Sequence, residues 1–129
     1  MIYLYVGIGG AIGSIFRYFV SQLSLPFWNH LPLGTLIVNL LGAFVLGWFT
    51  AKIVPIETIS QAVKTGISTG VIGSFTTFST LSVEAVQLLN QSYYGVLLVY
   101  LLISVVGGIG LSALGFYYGE SSRVEVKSQ

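Results

Sequence analysis

The sequence predicts an all-α integral membrane protein with four spanning helices, and three observations carry that prediction. Only 7% of the residues are charged while 54% are hydrophobic, whereas a soluble domain carries about 25% charged residues to coat its surface. Four apolar stretches reach or pass the roughly 20 residues that a helix needs to cross a bilayer. Tyr3, Tyr5, Trp28, Trp48, Tyr93, Tyr94, Tyr117 and Tyr118 fall near the ends of those stretches, where amphipathic rings settle at the membrane–water boundary.

The first span covers about residues 2–23. No basic residue precedes it and no small-residue cleavage site follows, so it reads as a retained span rather than a removed leader. The loop SLPFWNHLP comes next, with Pro26, Trp28, His30 and Pro32; Trp28 and His30 suit an interfacial anchor. The second span, about residues 33–54, stops at Pro55, which can neither donate to a helix nor fit inside one. A connector bearing Glu57 and Lys64 leads to the third span, about 62–90, and the fourth runs over about 95–119. Residues 119–129 form a polar, solvated tail. No Gly/Ser linker divides the chain, which reads as one domain over residues 1–129. Four spans place both termini on one side, with Lys52, Lys64, Arg123 and Lys127; Arg17 alone approaches the other. The positive-inside rule makes the terminal side cytoplasmic.

Composition also excludes functions. There is no cysteine, so disulfides and thiolate chemistry are absent. His30 is the single histidine and there is no aspartate, so one copy cannot assemble a site of several such metal ligands. A net charge of +1 argues against a nucleic-acid partner. No phosphate-cradling glycine loop is present, which removes direct ATP-driven export, and the catalytic groups are too few for an enzyme.

The spans are too polar and too small-sided to be lone anchors. Gly7, Gly9, Gly10 and Gly13 punctuate the first, Gly66, Gly70 and Gly73 the third, and Gly107, Gly108, Gly110, Gly115 and Gly119 the fourth. Small residues three and four apart let helix backbones approach closely. Four short helices enclose little interior, so packing favours an oligomer. The third span carries Thr65, Ser68, Thr69, Ser74, Thr76, Thr77, Ser79, Thr80 and Ser82. Isolated hydroxyls in membrane helices bond back to their own backbone; a run this dense suggests a face turned to water, ions or another polar helix. Gly73, flanked by hydroxyls, is where the helix could break, and broken backbone in a membrane survives only inside protein or along a cavity. The carbonyls freed by a break suit a hard cation and the N–H groups an anion. Asn39, Arg17 and Glu84 stand inside apolar stretches, and such residues are functional candidates by default. Each has a structural alternative: Asn39 bonding a neighbouring helix, Arg17 reaching the interface or pairing with Glu84, and Glu84 sitting at a wet end.

The segments GSFTTFSTLSVE (residues 73–84), GGAIGSIFRY (9–18), GTLIVNLLG (34–42) and SALG (112–115) together resemble the CrcB or Fluc family of small bacterial fluoride channels, over nearly the whole chain. The resemblance implies a passive, fluoride-selective channel in the bacterial cell membrane that lowers cytoplasmic fluoride. It implies an antiparallel, dual-topology dimer with two fluoride pathways and a third helix broken near its middle. It implies that backbone carbonyls of Gly73 and Thr76 hold a structural Na⁺ at the dimer centre, two copies supplying four oxygens. Asn39 would donate its amide N–H to fluoride, Phe78 would present a pore-facing phenyl ring, and Ser79, Thr80 and Ser112 would belong to a hydroxyl track.

The chain departs from the family pattern where Leu81 replaces a second pore phenylalanine, where Ser74 replaces the second of two glycines, and where Gly108 replaces a serine. Phe75 offers a ring one turn earlier than Phe78, although the resemblance puts it in the break. Leu81 and the one-sided Lys/Arg distribution together suggest a heterodimer with a homologous subunit of opposite orientation, beside the homodimer. Two other readings stay open. A proton-coupled exporter of the small multidrug type needs a membrane carboxylate, for which Glu84 is the candidate; a non-conducting partner subunit predicts assembly without flux.

Overall fold

The computed structural model describes residues 1–22 and 30–127, with side chains through Ser122. Pro26 and Trp28 lie outside the described residues, as do the side chains of Arg123 and Lys127. Every regular element among the described residues is helical. Helix α1 is Ile2–Ser21 and α2 is Leu33–Lys52, each of 20 residues. At about 1.5 Å per residue each spans about 30 Å, the thickness of a bilayer's hydrocarbon core. Helix α3 comprises residues 61–75, α4 is Phe78–Asn90, and α5 comprises residues 94–127.

Three helices are long and apolar enough to cross a membrane: α1, α2 and the Tyr94–Ser122 portion of α5. The third apolar stretch is two shorter helices, because Thr76 (ψ 158°) and Thr77 (φ −149°, ψ 123°) are extended. The interruption falls after the expected position: Gly73 has helical dihedrals (φ −64°, ψ −33°). The tail also differs from expectation, since α5 stays helical to Lys127. At about 50 Å it outruns the membrane, so its last turns are helix in water.

Local chemistry sets the ends. Pro32 precedes α2, where its missing N–H costs nothing. Helix α2 gives way at Ile53, two residues before Pro55. The Ser60 hydroxyl caps α3 by accepting from the Val63 N–H at 3.4 Å, and the Thr77 hydroxyl caps α4 by accepting from the Thr80 N–H at 3.2 Å. Two stretches of wider, π-type winding, Gly66–Ile72 and Ile103–Gly107, lie within α3 and α5.

The helices associate as two parallel pairs. In α1 with α3, a Cβ on Gly9 would strike the Gly66 carbonyl oxygen, and one on Gly70 would lie 2.9 Å from the Val6 oxygen. In α2 with α5, a Cβ on Gly47 would strike the Ser112 oxygen and one on Gly115 the Phe44 oxygen. These are backbone-to-backbone contacts, the close approach that only glycine permits. Helix α4 closes the loop side through a cluster of Leu36, Leu88 and Tyr100, against which Leu40, Leu81 and Val96 pack. Only 6% of the fourth apolar window is buried within the protomer, so lipid or a second subunit must cover the remainder.

Gly115→Ala is expected to destabilise the protein by about 1–3 kcal/mol, because backbone cannot yield to the added carbon. Gly95→Ala, whose Cβ would meet nothing within 4 Å, is the neutral control. Detergent-denaturation midpoints of the two variants check this.

Candidate functional site

The interruption at Thr76–Thr77 organises the polar interior. Where α3 stops, its last carbonyls lose their helical donors. The Ile72 oxygen keeps the Thr76 N–H at 3.1 Å, and the Thr76 hydroxyl reaches both it, at 3.2 Å, and the Gly73 oxygen, at 3.3 Å. Thr77 is extended and buried, so neither helix nor water satisfies its peptide groups. Asn39, across on α2, satisfies both. Its Oδ1 accepts from the Thr77 N–H at 2.7 Å, and its Nδ2 donates to the Thr77 oxygen at 2.9 Å. Gly42, one turn along, leaves room for the Thr76 methyl group, which a Cβ there would strike.

Asn39, Thr77, Phe78, Leu81, Ser104 and Gly108 line a cavity of about 350 Å³ beside this junction. Its polar groups are an amide, hydroxyls and backbone, and no ionisable side chain lines it. Phe78 is 80% exposed on the protomer surface. The Ser104 hydroxyl donates to the Tyr100 oxygen at 2.7 Å. Thr77 also lines a second cavity, of about 330 Å³, with Ser14, Arg17, Thr35 and Thr80. The Thr77 hydroxyl lies 3.2 Å from that of Ser79 and 3.0 Å from that of Thr80.

The structure gathers only some of the sequence candidates. Asn39, Phe78 and Thr76 share the first cavity; Ser79 and Thr80 adjoin it through Thr77. Phe75 lines a separate apolar cavity with Phe16, Val20 and Val45. Ser112 presents its carbonyl to Gly47, and Ser104, eight residues earlier, is the α5 hydroxyl at the cavity. Two helical turns keep one face, so the spacing carried a signal for Ser104. Gly73 sits in α3 with its carbonyl accepting from Thr76. Nothing joins Arg17 to Glu84 among the described residues. The Glu84 oxygens instead accept from the Thr35 hydroxyl at 2.8 Å and the Tyr100 hydroxyl at 2.7 Å. Tyr100 is fully buried, and a buried phenol seeks a partner; that was the signal for this contact. His30 stacks on Tyr93, with ring centroids 4.0 Å apart.

Fold and site define a small polytopic helical membrane protein with a polar cavity at Asn39 that no ionisable side chain lines. The chain belongs to the CrcB-like protein, Camphor Resistance (CrcB) family, whose model matches residues 4–116. It is 46% identical over 121 residues to a protein of Bacillus anthracis named Fluoride-specific ion channel FluC 1, covering 93% of this chain and 88% of that one. Geobacillus kaustophilus has two such relatives. Its Fluoride-specific ion channel FluC 2 is 42% identical, covering 97% of this chain and 98% of the relative. Its FluC 1 is also 42% identical, covering 90% and 96%.

Tyr100→Phe removes one of the two donors to Glu84 and is expected to cost about 1–3 kcal/mol. Thr35→Val should cost a similar amount through the other oxygen. Thermal unfolding of the purified variants checks both.

Proposed function

We propose that this chain is a subunit of a fluoride-specific ion channel that lets cytoplasmic fluoride leave the cell passively across the bacterial cell membrane. The observation that carries the reading is the cavity at Asn39, Phe78 and Ser104, polar without fixed charge. Fluoride holds its water tightly, so a narrow pathway must replace much of that hydration. The Asn39 amide carries two N–H groups, one of them on the Thr77 oxygen, so the other can donate to the ion without a charge that would trap it. A phenyl ring adds its positive edge. The names of the relatives support the ion.

In this reading two subunits of opposite orientation form the channel, and the exposed Phe78 ring lies where the second subunit covers the first. The interruption of α3 and α4 is the break of the third span within the membrane. A structural Na⁺ at the dimer centre would be held by the Gly73 and Thr76 carbonyls of both copies. The donor set suits it: the Thr76 ψ of 158° takes that carbonyl out of the helical ladder, and neutral carbonyl oxygens match a hard cation. The sodium ion would supply positive charge at the centre, and the chain's part is to fix its oxygens. A heterodimer is favoured by one specific observation, Leu81 in the cavity where the family places a ring. The two channels named in Geobacillus kaustophilus fit such pairing.

The test is fluoride efflux from liposomes, read by a fluoride electrode with potassium ionophore present and chloride as control. Fluoride release without chloride release supports the channel; proton-dependent transport of an organic cation would favour the exporter. If the single chain is silent, co-expression with a homologous subunit should restore flux, and continued silence would sink the reading. Asn39→Asp exchanges a donor for an anion and should slow fluoride flux by roughly ten- to a hundredfold, as for about 1–3 kcal/mol. Phe78→Ile should slow flux more than Phe75→Ile, since Phe75 lines a different cavity.

A further inference from the structure

We infer that Asn39 is a positioning residue: its side-chain amide clamps the extended Thr77 residue and thereby aims the Thr76 carbonyl away from Asn39. Both hydrogen bonds are short, at 2.7 and 2.9 Å, and they join residues 38 apart in sequence. Together they reproduce what a neighbouring β-strand gives an extended residue, one donor and one acceptor on the same side. The peptide unit does the rest. The Thr76 carbonyl and the Thr77 N–H belong to one planar group, and no cis peptide is present. In a trans peptide these two bonds point in opposite directions. Holding the Thr77 N–H against Asn39 Oδ1 therefore turns the Thr76 oxygen to the far side of the peptide.

The amide is not exhausted by the clamp. Nδ2 carries two hydrogens, of which one goes to the Thr77 oxygen. The second remains for the cavity. Asn39 thus fixes the backbone with one edge and retains one donor. No other residue type of this length offers an acceptor and two donors on one rigid plane. Aspartate keeps the acceptor and loses both donors; serine is too short to make the pair.

The inference rests on the proposed sodium site only for its cation arm. Hydrogen exchange at the Thr77 amide, resolved by fragmentation mass spectrometry on the purified full-length protein in sodium and in N-methylglucamine, tests the clamp. In the unmodified protein the Thr77 amide should exchange as slowly as its helical neighbours, although Thr77 is not helical. Asn39→Ser should accelerate that exchange at least roughly tenfold, the loss of one good hydrogen bond. Asn39→Asp sets a carboxylate oxygen against the Thr77 oxygen in place of the amide donor and should also accelerate the exchange. Gly95→Ala, remote from the clamp, should change nothing at Thr77. The sodium concentration giving half-maximal protection of residues 73–77 should rise at least roughly tenfold in Asn39→Ser and stay constant in Gly95→Ala, a selective effect that general loosening would not give. Rapid Thr77 exchange in the unmodified protein overturns the clamp even if the serine variant fails to fold. Sodium-independent exchange in the unmodified protein would remove the sodium site, while Thr77 exchange alone would still decide the clamp.

Discussion

A peptide group inside a membrane must find a hydrogen-bond partner within the protein, and the extended pair Thr76–Thr77 makes that constraint acute. Unsatisfied backbone in hydrocarbon costs several kcal/mol per group. Three side chains meet the demand here: Thr76 on the carbonyls behind it, Thr77 on the N–H ahead, and Asn39 on Thr77 itself. The first two are local and travel with the sequence. The third is not, and it obliges α2 to run beside the junction at one depth. Gly42 then follows as the position that cannot carry a side chain against Thr76.

Once α2 is fixed there, the remaining helices have few options. Glycines at Gly47 and Gly115 bring α5 against α2, and those at Gly9 and Gly70 bring α1 against α3. Close backbone contact replaces the hydrophobic drive that is lacking between helices in lipid. The cluster of Leu36, Leu88 and Tyr100 secures α4, and Glu84 ties it to both α2 and α5 through hydroxyl donors.

Much of this was legible before any coordinates. Composition and run length marked four apolar stretches, of which three are single helices long enough to span, because the bilayer demands continuous apolar sequence. Density of hydroxyls marked the third span as irregular. The exact turn was not legible: glycine suggested a break at Gly73, but Gly73 remains helical, since absence of a side chain only permits a break. The extended residues are the two threonines, whose hydroxyls offer the backbone other partners. The register of α5 also escaped, because Ser104 and Ser112 share a face and only packing separates the cavity from the contact with Gly47. Phe75 was ambiguous for a related reason. One turn from Phe78 along a continuous helix would share its face, and the interruption between them destroys that periodicity. The partners of Glu84 lie 49 and 16 residues away, a pairing that charge alone would have assigned to Arg17.

The same junction separates charge from neutrality. Thr77 lines both polar cavities. Arg17 lines the one shared with Ser14 and Thr35, while the one at Asn39 has no ionisable lining. Glu84 has each carboxylate oxygen engaged by a hydroxyl. Neither Arg17 nor Glu84 lines the cavity at Phe78. For an anion this matters in both directions: a carboxylate there would repel it and a guanidinium would hold it. In the proposed channel, a cavity lined by amide, hydroxyl and phenyl groups would bind an anion weakly enough to release it. Asn39 links the two requirements in the proposed channel, because the amide that would offer the anion a donor is also the group that satisfies the extended backbone at Thr77.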